Sequence, residues 1–310
     1  MRIGVSLPTV GPTGEREFML DIAKAADDAG LHSVWATDHV ILPKVHETEY
    51  PYKRSTTEVL FSPGVAWLDP VAVMGVVAGA TEHVVIGTAV LVLPYRHPIV
   101  LANELATLDR LSEGRIILGV GAGWMREEFE ALGVPPRERG ERTDEYIRAL
   151  RTLWLSPEEC SFEGRFVRFR DMTLATRPHR PAGPPIFVGG NSPAALRRAG
   201  ALGDGWLGME IFVDEVAEAR AAIGKAAADA GRDPGGIELS VRRGIVPPFE
   251  ISNFLPERRS ITGSAREVAD ELLRYGDEDV SFAVLDLAML PGDATSTIDW
   301  LRIDVLPLLD

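Results

Sequence analysis

An aspartate and a histidine stand side by side where an apolar run gives way to a long polar stretch. Ser33–Val40 reads SVWATDHV, so the apolar residues are followed by the triplet Thr37-Asp38-His39. A histidine can donate or accept a proton near neutral pH, and a neighbouring carboxylate sets the local charge. One interpretation of the pair is proton chemistry on a bound substrate. The other is the start of a loop, in which the aspartate accepts hydrogen bonds from backbone amides. The residues alone favour the two interpretations equally.

Two glycine-rich stretches also end apolar runs. One is Gly121-Ala122-Gly123, and the other is Gly189-Gly190-Asn191, which leads into a predicted helix with Ser192 as its N-cap. Backbone amides and the helix dipole at such a point favour an anion, for example a cofactor phosphate. An ordinary turn is the alternative, because the segment GVGAGW lacks the third glycine of the dinucleotide-binding fingerprint.

The other histidines, the cysteine and the known motifs give weaker indications of a functional site. His97 follows another predicted strand and is a reserve candidate, whereas His46 lies in the long polar stretch. Cys160 is the single cysteine, and no histidine-carboxylate spacing typical of a metal site occurs. No GxSxG motif is present, so a hydrolase nucleophile elbow is not predicted either.

Composition excludes several classes of function. The 310 residues are 45% hydrophobic, and 46 acids against 32 bases give a formal net charge of −14, which disfavours a nucleic-acid binder. The N-terminus lacks the pattern of a signal peptide. The longest apolar run, Pro70–Ala80, is far shorter than the roughly 20 residues that span a bilayer. We therefore expect a soluble, cytoplasmic protein.

Strands and helices alternate along the chain. The predicted strands are Arg2–Leu7, Ser33–Ala36, Val84–Leu93, Arg115–Val120, Pro185–Val188, Gly205–Gly208, Ile237–Arg242 and Ser281–Leu287. The predicted helices are Glu15–Ala29, Val71–Ala80, Ile99–Leu111, Met125–Leu132, Arg139–Leu155, Ser192–Leu202, Val213–Ala230, Ser264–Tyr275 and Thr295–Leu309. Strict alternation with eight strands predicts an α/β fold, a (β/α)8 TIM barrel, and an open doubly wound sheet is the alternative.

The barrel prediction brings the candidate residues together. Active sites of such barrels lie at the carboxyl ends of the strands, where Asp38, His39 and both glycine stretches fall. We expect a single domain over residues 1–310, with a long loop at 40–66 and a hairpin inserted at 158–174. The helix Val71–Ala80 is apolar on every side, which on the outer ring of a barrel predicts coverage by a partner subunit.

Four segments together resemble the luciferase-like superfamily, in particular its coenzyme F420-dependent oxidoreductases. They read GLHSVWATDH, ATEHVVIGTAVLVLPYRHP, LDRLSEGRIILGVGAGWMREEFEALG and PPIFVGGNSPAALRRAGALGDGW. The resemblance runs from Met1 to about Trp206, and its motifs are specific for the superfamily but less so for the flavin-type cofactor. The C-terminal third is generic.

The resemblance implies a deazaflavin in the mouth of the barrel. A bulge with a non-prolyl cis peptide at Ala89-Val90, within Thr88–Leu91, would form the backstop of the ring. The phosphate and tail would rest against Gly121–Gly123 and Gly189–Ser192. Asp38 and His39 match the acid-histidine pair of these enzymes, in which the histidine faces the substrate and the aspartate shapes the cofactor pocket. Relatives form homodimers through barrel helices, in agreement with the apolar helix.

Two positions depart from the sugar-phosphate dehydrogenases of the superfamily. Trp124 stands where those enzymes have an acid, which implies a more apolar substrate than a sugar phosphate. Glu127 stands where they have a cofactor-contacting asparagine, so Glu127 is left out of the predicted site.

Three hypotheses follow. The first is an F420-dependent oxidoreductase that transfers a hydride to or from a small organic substrate, with His39 handling the proton. The second is an FMN-dependent monooxygenase that uses O₂ and reduced flavin from a partner reductase. The third is a barrel that binds a ligand without turnover, with Asp38-His39 as loop structure. Three strand ends that carry matching features favour an enzyme.

Overall fold

A computed structural model provides the fold. It describes residues 1–11, 15–45, 47–52, 65–156, 158–249, 260–287 and 294–309. None of the helices in these ranges combines the length and the apolar composition that crossing a membrane requires.

Parallel strands form a closed barrel of eight strands, as predicted. In barrel order they are β1 (Arg2–Ser6), β2 (Ser33–Ala36), β3 (Val85–Thr88), β5 (Ile116–Gly121), β8 (Ile186–Gly189), β9 (Gly205–Met209), β10 (Glu238–Val246) and β12 (Val280–Asp286). β9 pairs with β10, and β1 pairs with both β12 and β2, which closes the ring. The strands are buried along nearly their whole length because side chains fill the barrel and helices cover it.

Helices form the layer outside the strands. They are α1 (Arg16–Asp28), α2 (Pro70–Ala78), α3 (Pro98–Leu111), α4 (Arg126–Ala131), α5 (Arg139–Leu155), α6 (Pro193–Leu202), α7 (Val213–Asp229), α8 (Ala265–Asp277) and α9 (Ala294–Trp300). Asp69, Ser192 and Ser264 cap α2, α6 and α8 through their side-chain oxygens, and the cap at Ser192 was predicted.

The hairpin predicted at 158–174 is present. Its antiparallel strands are β6 (Cys160–Glu163) and β7 (Arg168–Met172), with Phe162 paired to Phe169. In the predicted loop at 40–66, the described residues 40–45, 47–52 and 65–66 form neither helix nor strand. His46 lies outside the described residues.

Three predicted boundaries were wrong. The third barrel strand is not continuous over Val84–Leu93, because it breaks after Thr88 and resumes as β4 (Leu91–Val92), which pairs with β5. β10 extends to Val246, where a short strand that was not predicted, β11 (Ser260–Thr262), pairs with it. The last predicted helix ends as α-helix at Trp300 and continues as π-helix over Leu301–Val305.

Candidate active site

A cavity of about 590 Å³ opens at the carboxyl ends of the barrel strands. This volume is ordinary for a site that holds a small molecule or cofactor. The predicted residues that line it are Asp38, His39, Ala89, Val90, Gly121, Ala122, Gly123, Gly189, Gly190 and Ser192. Residues from distant parts of the chain therefore meet at one site.

Three predicted cofactor residues do not line this cavity. Thr88 is fully buried and donates from Oγ1 to the carbonyl of Gly119 at 2.7 Å, and Leu91 packs into the core. The Asn191 side chain donates to the Met209 carbonyl at 2.7 Å and accepts from the Met209 amide at 3.0 Å. These side chains hold neighbouring strands in place. Their geometry therefore favours a structural role over direct contact with a ligand.

The break between β3 and β4 has the predicted backbone feature. The peptide bond between Ala89 and Val90 is cis. Val90 lies between two glycine strand ends, because a β-carbon would lie 2.5 Å from its Cγ2 at Gly121 and 2.4 Å from its Cγ1 at Gly189. Only glycine therefore fits at either position while Val90 keeps its place in the cavity wall.

Asp38 is an anchor of this wall. Its buried carboxylate accepts two hydrogen bonds from the Arg96 guanidinium, at 2.6 and 2.9 Å, and one from the Val92 amide at 2.8 Å. Arg96 also reaches Asp69, the N-cap of α2, at 2.7 Å. Both oxygens of Asp38 are thus engaged by groups that fix β4 next to the end of β2.

His39 has an acidic partner that the sequence prediction missed. Its Nδ1 lies 2.7 Å from Oε2 of Glu128, a fully buried residue on α4. Burial would raise the pKa of Glu128, but hydrogen bonds from His39 and from the amides of Val40 and Ile41 outweigh it and keep the pKa below its ordinary value. Glu128 is therefore an anion that faces the histidine.

Aromatic rings surround His39 on its cavity side. The Trp67 ring lies edge-on at 4.5 Å between centroids, and the Trp124 ring lies edge-on at 6.0 Å. Tyr50 packs against Trp124 at 5.2 Å and against Tyr52 at 5.7 Å. The space beside the histidine is consequently lined by large apolar surfaces.

The segment that carries Tyr50 and Tyr52 is attached to α4 by Glu127. This carboxylate accepts from the amides of Glu47 and Thr48, at 2.8 and 3.1 Å, and from the Thr48 hydroxyl at 2.8 Å. Partial burial would raise the pKa of Glu127, but these bonds and one from its own amide lower it to about 2. Glu127 thus makes a structural contact and is not among the residues that line the cavity.

Arg242, which was not predicted as a site residue, lines the cavity and pairs with an aspartate. Arg242 on β10 donates to the Ala89 carbonyl at 2.7 Å and to Asp286 on β12 at 2.9 Å. Arg242 is 7% exposed and Asp286 is 2% exposed, so the two opposite charges compensate each other away from water. The bond to Ala89 ties the far wall of the barrel to the break after β3.

Three arginines that were not predicted also line the cavity. Arg137, Arg139 and Arg198 line it together with the first turn of α6. Arg198 is only 5% exposed and contacts Asp144 and the Gly140 carbonyl. Arginine side chains and a helix N-terminus together favour an anionic group.

The reserve candidate His97 does not reach this cavity. It is exposed at the N-terminus of α3 and lines a separate depression on the outer ring. The sequence offered one weak signal for Glu128, its place in the first turn of the helix after Gly121-Ala122-Gly123. Nothing local indicates that it meets His39, 89 residues earlier in the chain.

The chain resembles known proteins both in sequence and in fold. A profile of the luciferase-like monooxygenase family matches residues 1–247. The chain is 34% identical over 208 residues, 64% of its length, to an F420-dependent glucose-6-phosphate dehydrogenase of Amycolatopsis mediterranei. It is 34% identical over 215 residues, 68% of its length, to an F420-dependent hydroxymycolic acid dehydrogenase of Mycobacterium tuberculosis. These alignments cover 56% and 54% of the two relatives.

Solved structures share the whole fold. An F420-dependent secondary alcohol dehydrogenase in complex with an F420-acetone adduct superimposes with a TM-score of 0.81 at 21% identity, covering 100% of this chain and 99% of that one. The monooxygenase RslO1 from Streptomyces bottropensis superimposes with a TM-score of 0.78 at 23% identity, covering 99% of each chain. At these identities the likeness concerns the fold.

Proposed function

The chain belongs to the luciferase-like monooxygenase family, and from this premise we propose that it is an oxidoreductase that uses coenzyme F420. It moves a hydride between the cofactor and a small organic substrate bound in the cavity. The observation that carries the proposal is His39, which lines the cavity with Nδ1 held by a buried carboxylate. Two relatives that are named F420-dependent dehydrogenases support the choice of cofactor.

The cavity residues fit a deazaflavin cofactor. The glycine ends of β5 and β8 let Val90 pack between them, so the three residues form one wall of the cavity against which a ring can lie. Arg137, Arg139 and the N-terminus of α6 suit the phosphate and the acidic tail. We propose that Ala89, Val90, Gly121–Gly123, Gly189, Gly190 and Ser192 hold the cofactor, and that Asp38 contributes by fixing the wall.

When bound, a deazaflavin ring accepts or donates a hydride. His39 handles the accompanying proton. In alcohol oxidation the substrate O–H bond breaks, its proton moves to the imidazole, and the carbinol carbon becomes a carbonyl as it loses hydride. In the reverse direction the imidazolium returns the proton to the oxygen of the carbonyl being reduced. Glu128 stabilises the imidazolium in both directions because its negative charge lies 2.7 Å from Nδ1.

The surroundings of His39 favour an apolar substrate. Trp124, Trp67 and Tyr50 form the wall next to the imidazole, and these large ring surfaces pack best against an apolar group. We therefore expect neutral alcohols, ketones, aldehydes or enones with an aromatic or aliphatic ring as substrates.

A spectroscopic titration tests the cofactor assignment. The full chain is titrated with F420 and with FMN, each in its oxidised and reduced form, and dissociation constants are compared. We expect F420 to bind at least about tenfold more tightly than FMN, a difference of about 1.4 kcal/mol. Retention of reduced FMN without binding of F420 would overturn the proposal in favour of the FMN-dependent monooxygenase. Turnover of reduced F420 with a panel of neutral ketones, aldehydes and enones then identifies a working substrate.

We also propose that the enzyme is a homodimer joined through α2. The face of α2 that packs on the barrel buries Val73, Met74 and Val77, whereas its outer face leaves Val76 45% exposed. The helix sequence PVAVMGVVA contains no charged residue. Two copies of such a face can meet about a twofold axis without burying a charge.

A further inference from the structure

We infer that Glu128 is a positioning residue that determines which ring nitrogen of His39 exchanges the proton with substrate. The inference rests on the proposed function of His39 and concerns a residue that does not itself line the cavity. It follows from the hydrogen bonds, the charge and the complete burial of one carboxylate.

The two oxygens of Glu128 have separate partners. Oε1 accepts from the backbone amides of Val40 and Ile41, at 2.6 and 3.2 Å. Oε2 accepts from Nδ1 of His39 at 2.7 Å and from the Tyr95 hydroxyl at 2.9 Å. One oxygen thus holds the chain that follows His39, and the other holds the imidazole ring.

The charge of Glu128 decides the direction of the bond to His39. The pKa of Glu128 lies below its ordinary value, so the group is an ionised acceptor at neutral pH. Burial and the negative charge of Glu128 raise the pKa of Tyr95, so its hydroxyl stays protonated and donates. Since an ionised carboxylate has no proton to give, Nδ1 of His39 must carry one.

A fixed tautomer assigns the chemistry to the other nitrogen. With the proton on Nδ1, neutral His39 has its lone pair on Nε2, which accepts the substrate proton. The resulting imidazolium carries the proton on Nε2 and returns it in the reverse direction. Glu128 also prevents rotation of the ring, because rotation would replace Nδ1 by a carbon next to Oε2.

A glutamine at position 128 reverses this arrangement. A glutamine side chain has one acceptor oxygen and one donor amide group. The amides of Val40 and Ile41 both require an acceptor, so the oxygen takes the Oε1 position and the NH₂ group faces His39. Nδ1 must then accept, and the proton of the neutral ring moves to Nε2. Glu128→Gln therefore changes the tautomer while keeping the shape of the side chain.

The experiment measures the tautomer directly. The cofactor-free protein is labelled with ¹⁵N in its six histidines, and the His39 signals are assigned as those that His39→Asn removes. At alkaline pH, where imidazole rings are neutral, we expect the wild type to carry the proton on Nδ1 and Glu128→Gln to carry it on Nε2. The matched control is Tyr95→Phe, which removes the other donor to Oε2 and keeps the wild-type tautomer. A proton on Nε2 in the wild type, or the same tautomer in wild type and Glu128→Gln, would overturn the inference.

Turnover and cofactor affinity provide the second readout. With the working substrate, we expect Glu128→Gln to lower kcat about 10²- to 10⁴-fold, as for loss of a general base, and Tyr95→Phe to lower it less than about tenfold. The F420 dissociation constant stays within about twofold in both variants, because neither residue lines the cavity. Full activity of His39→Asn would refute the proposed role of His39, whereas an inactive His39→Asn beside a fully active Glu128→Gln refutes the inference about Glu128 alone.

Discussion

Asp38 and His39 are adjacent, yet each is held by a charged partner from a different element. Arg96 forms a salt bridge with Asp38 on one side of the chain, and Glu128 forms a hydrogen bond with His39 on the other. Because consecutive side chains of an extended segment point in opposite directions, one residue can anchor the wall while the next faces the cavity. In our proposal only the histidine exchanges protons with a substrate.

Replacement of His39 tests the residue that the proposal depends on most. We expect His39→Asn to lower kcat about 10²- to 10⁴-fold, the usual contribution of a general acid or base. The F420 dissociation constant should change less than about threefold, because the cofactor surface is made by glycine strand ends and Val90. The control is His97→Asn, which alters an exposed histidine outside the cavity and should leave kcat unchanged. Equal activities of the two variants in steady-state kinetics would favour a binding barrel without turnover.

Replacement of Asp38 tests its assignment as an anchor. Asp38→Ala leaves the largely buried Arg96 without its bidentate partner, so we expect a loss of about 3–5 kcal/mol in the free energy of unfolding. Asp69→Ala is the matched control, since it removes a half-exposed partner of the same arginine and one helix cap, which together cost about 1–2 kcal/mol. Urea denaturation measures both. A fully stable Asp38→Ala with lost turnover would instead assign Asp38 to the chemistry.

At the scale of elements, the cavity wall depends on the packing of one side chain against the backbone of two barrel strands. Val90 occupies space that Gly121 and Gly189 leave open, and its two methyl groups point at these two positions. A β-branched side chain has little freedom to turn away. The three residues therefore form one unit although they belong to different parts of the barrel.

A double-mutant cycle measures this coupling. Gly189→Ala places a β-carbon 2.4 Å from Cγ1 of Val90, and such overpacking costs about 1–3 kcal/mol. In a Val90→Ala background the nearest remaining atoms lie 3.6 Å away, an ordinary contact, so most of this cost should vanish. We expect a coupling free energy of about 1–2 kcal/mol in urea denaturation. Additive effects of the two substitutions would show that the wall relaxes without involving Val90.

The sequence predicted elements better than it predicted contacts between them. Alternating strands and helices indicated the barrel, and the barrel placed Asp38, His39 and both glycine stretches at one mouth. Periodicity shows which side chains point inward but does not show which of them meet. Glu128, Arg96 and Arg242 reach their partners across 89, 58 and 153 residues, so no local pattern could have identified those pairs. The break after Thr88 was similarly hidden in an unbroken apolar run, and only the family resemblance indicated it.

At the scale of the whole molecule, charge is distributed unevenly. The chain has a formal net charge of −14, yet four arginines, Arg137, Arg139, Arg198 and Arg242, line the cavity. The arginines in the cavity offset the repulsion between an acidic chain and an anionic cofactor. By contrast, α2 contains no charged side chain, and Val76 on its outer face is 45% exposed.

This uncharged face leads to the prediction of a dimer. Val76 on α2 and Val100 on the adjacent α3 are 45% and 56% exposed. A stable interface buries about 800 Å² of accessible surface on each partner, and these two residues would lie within it. We expect sedimentation equilibrium of the wild type at micromolar concentration to give twice the mass of the chain. Val76→Glu combined with Val100→Glu would bury four charges about the twofold axis and should yield monomers. The control is Ile303→Glu, which alters a residue that is 58% exposed beyond α9 and should leave the dimer intact. A monomeric wild type, or a doubly substituted protein that remains dimeric, would exclude α2 as the interface.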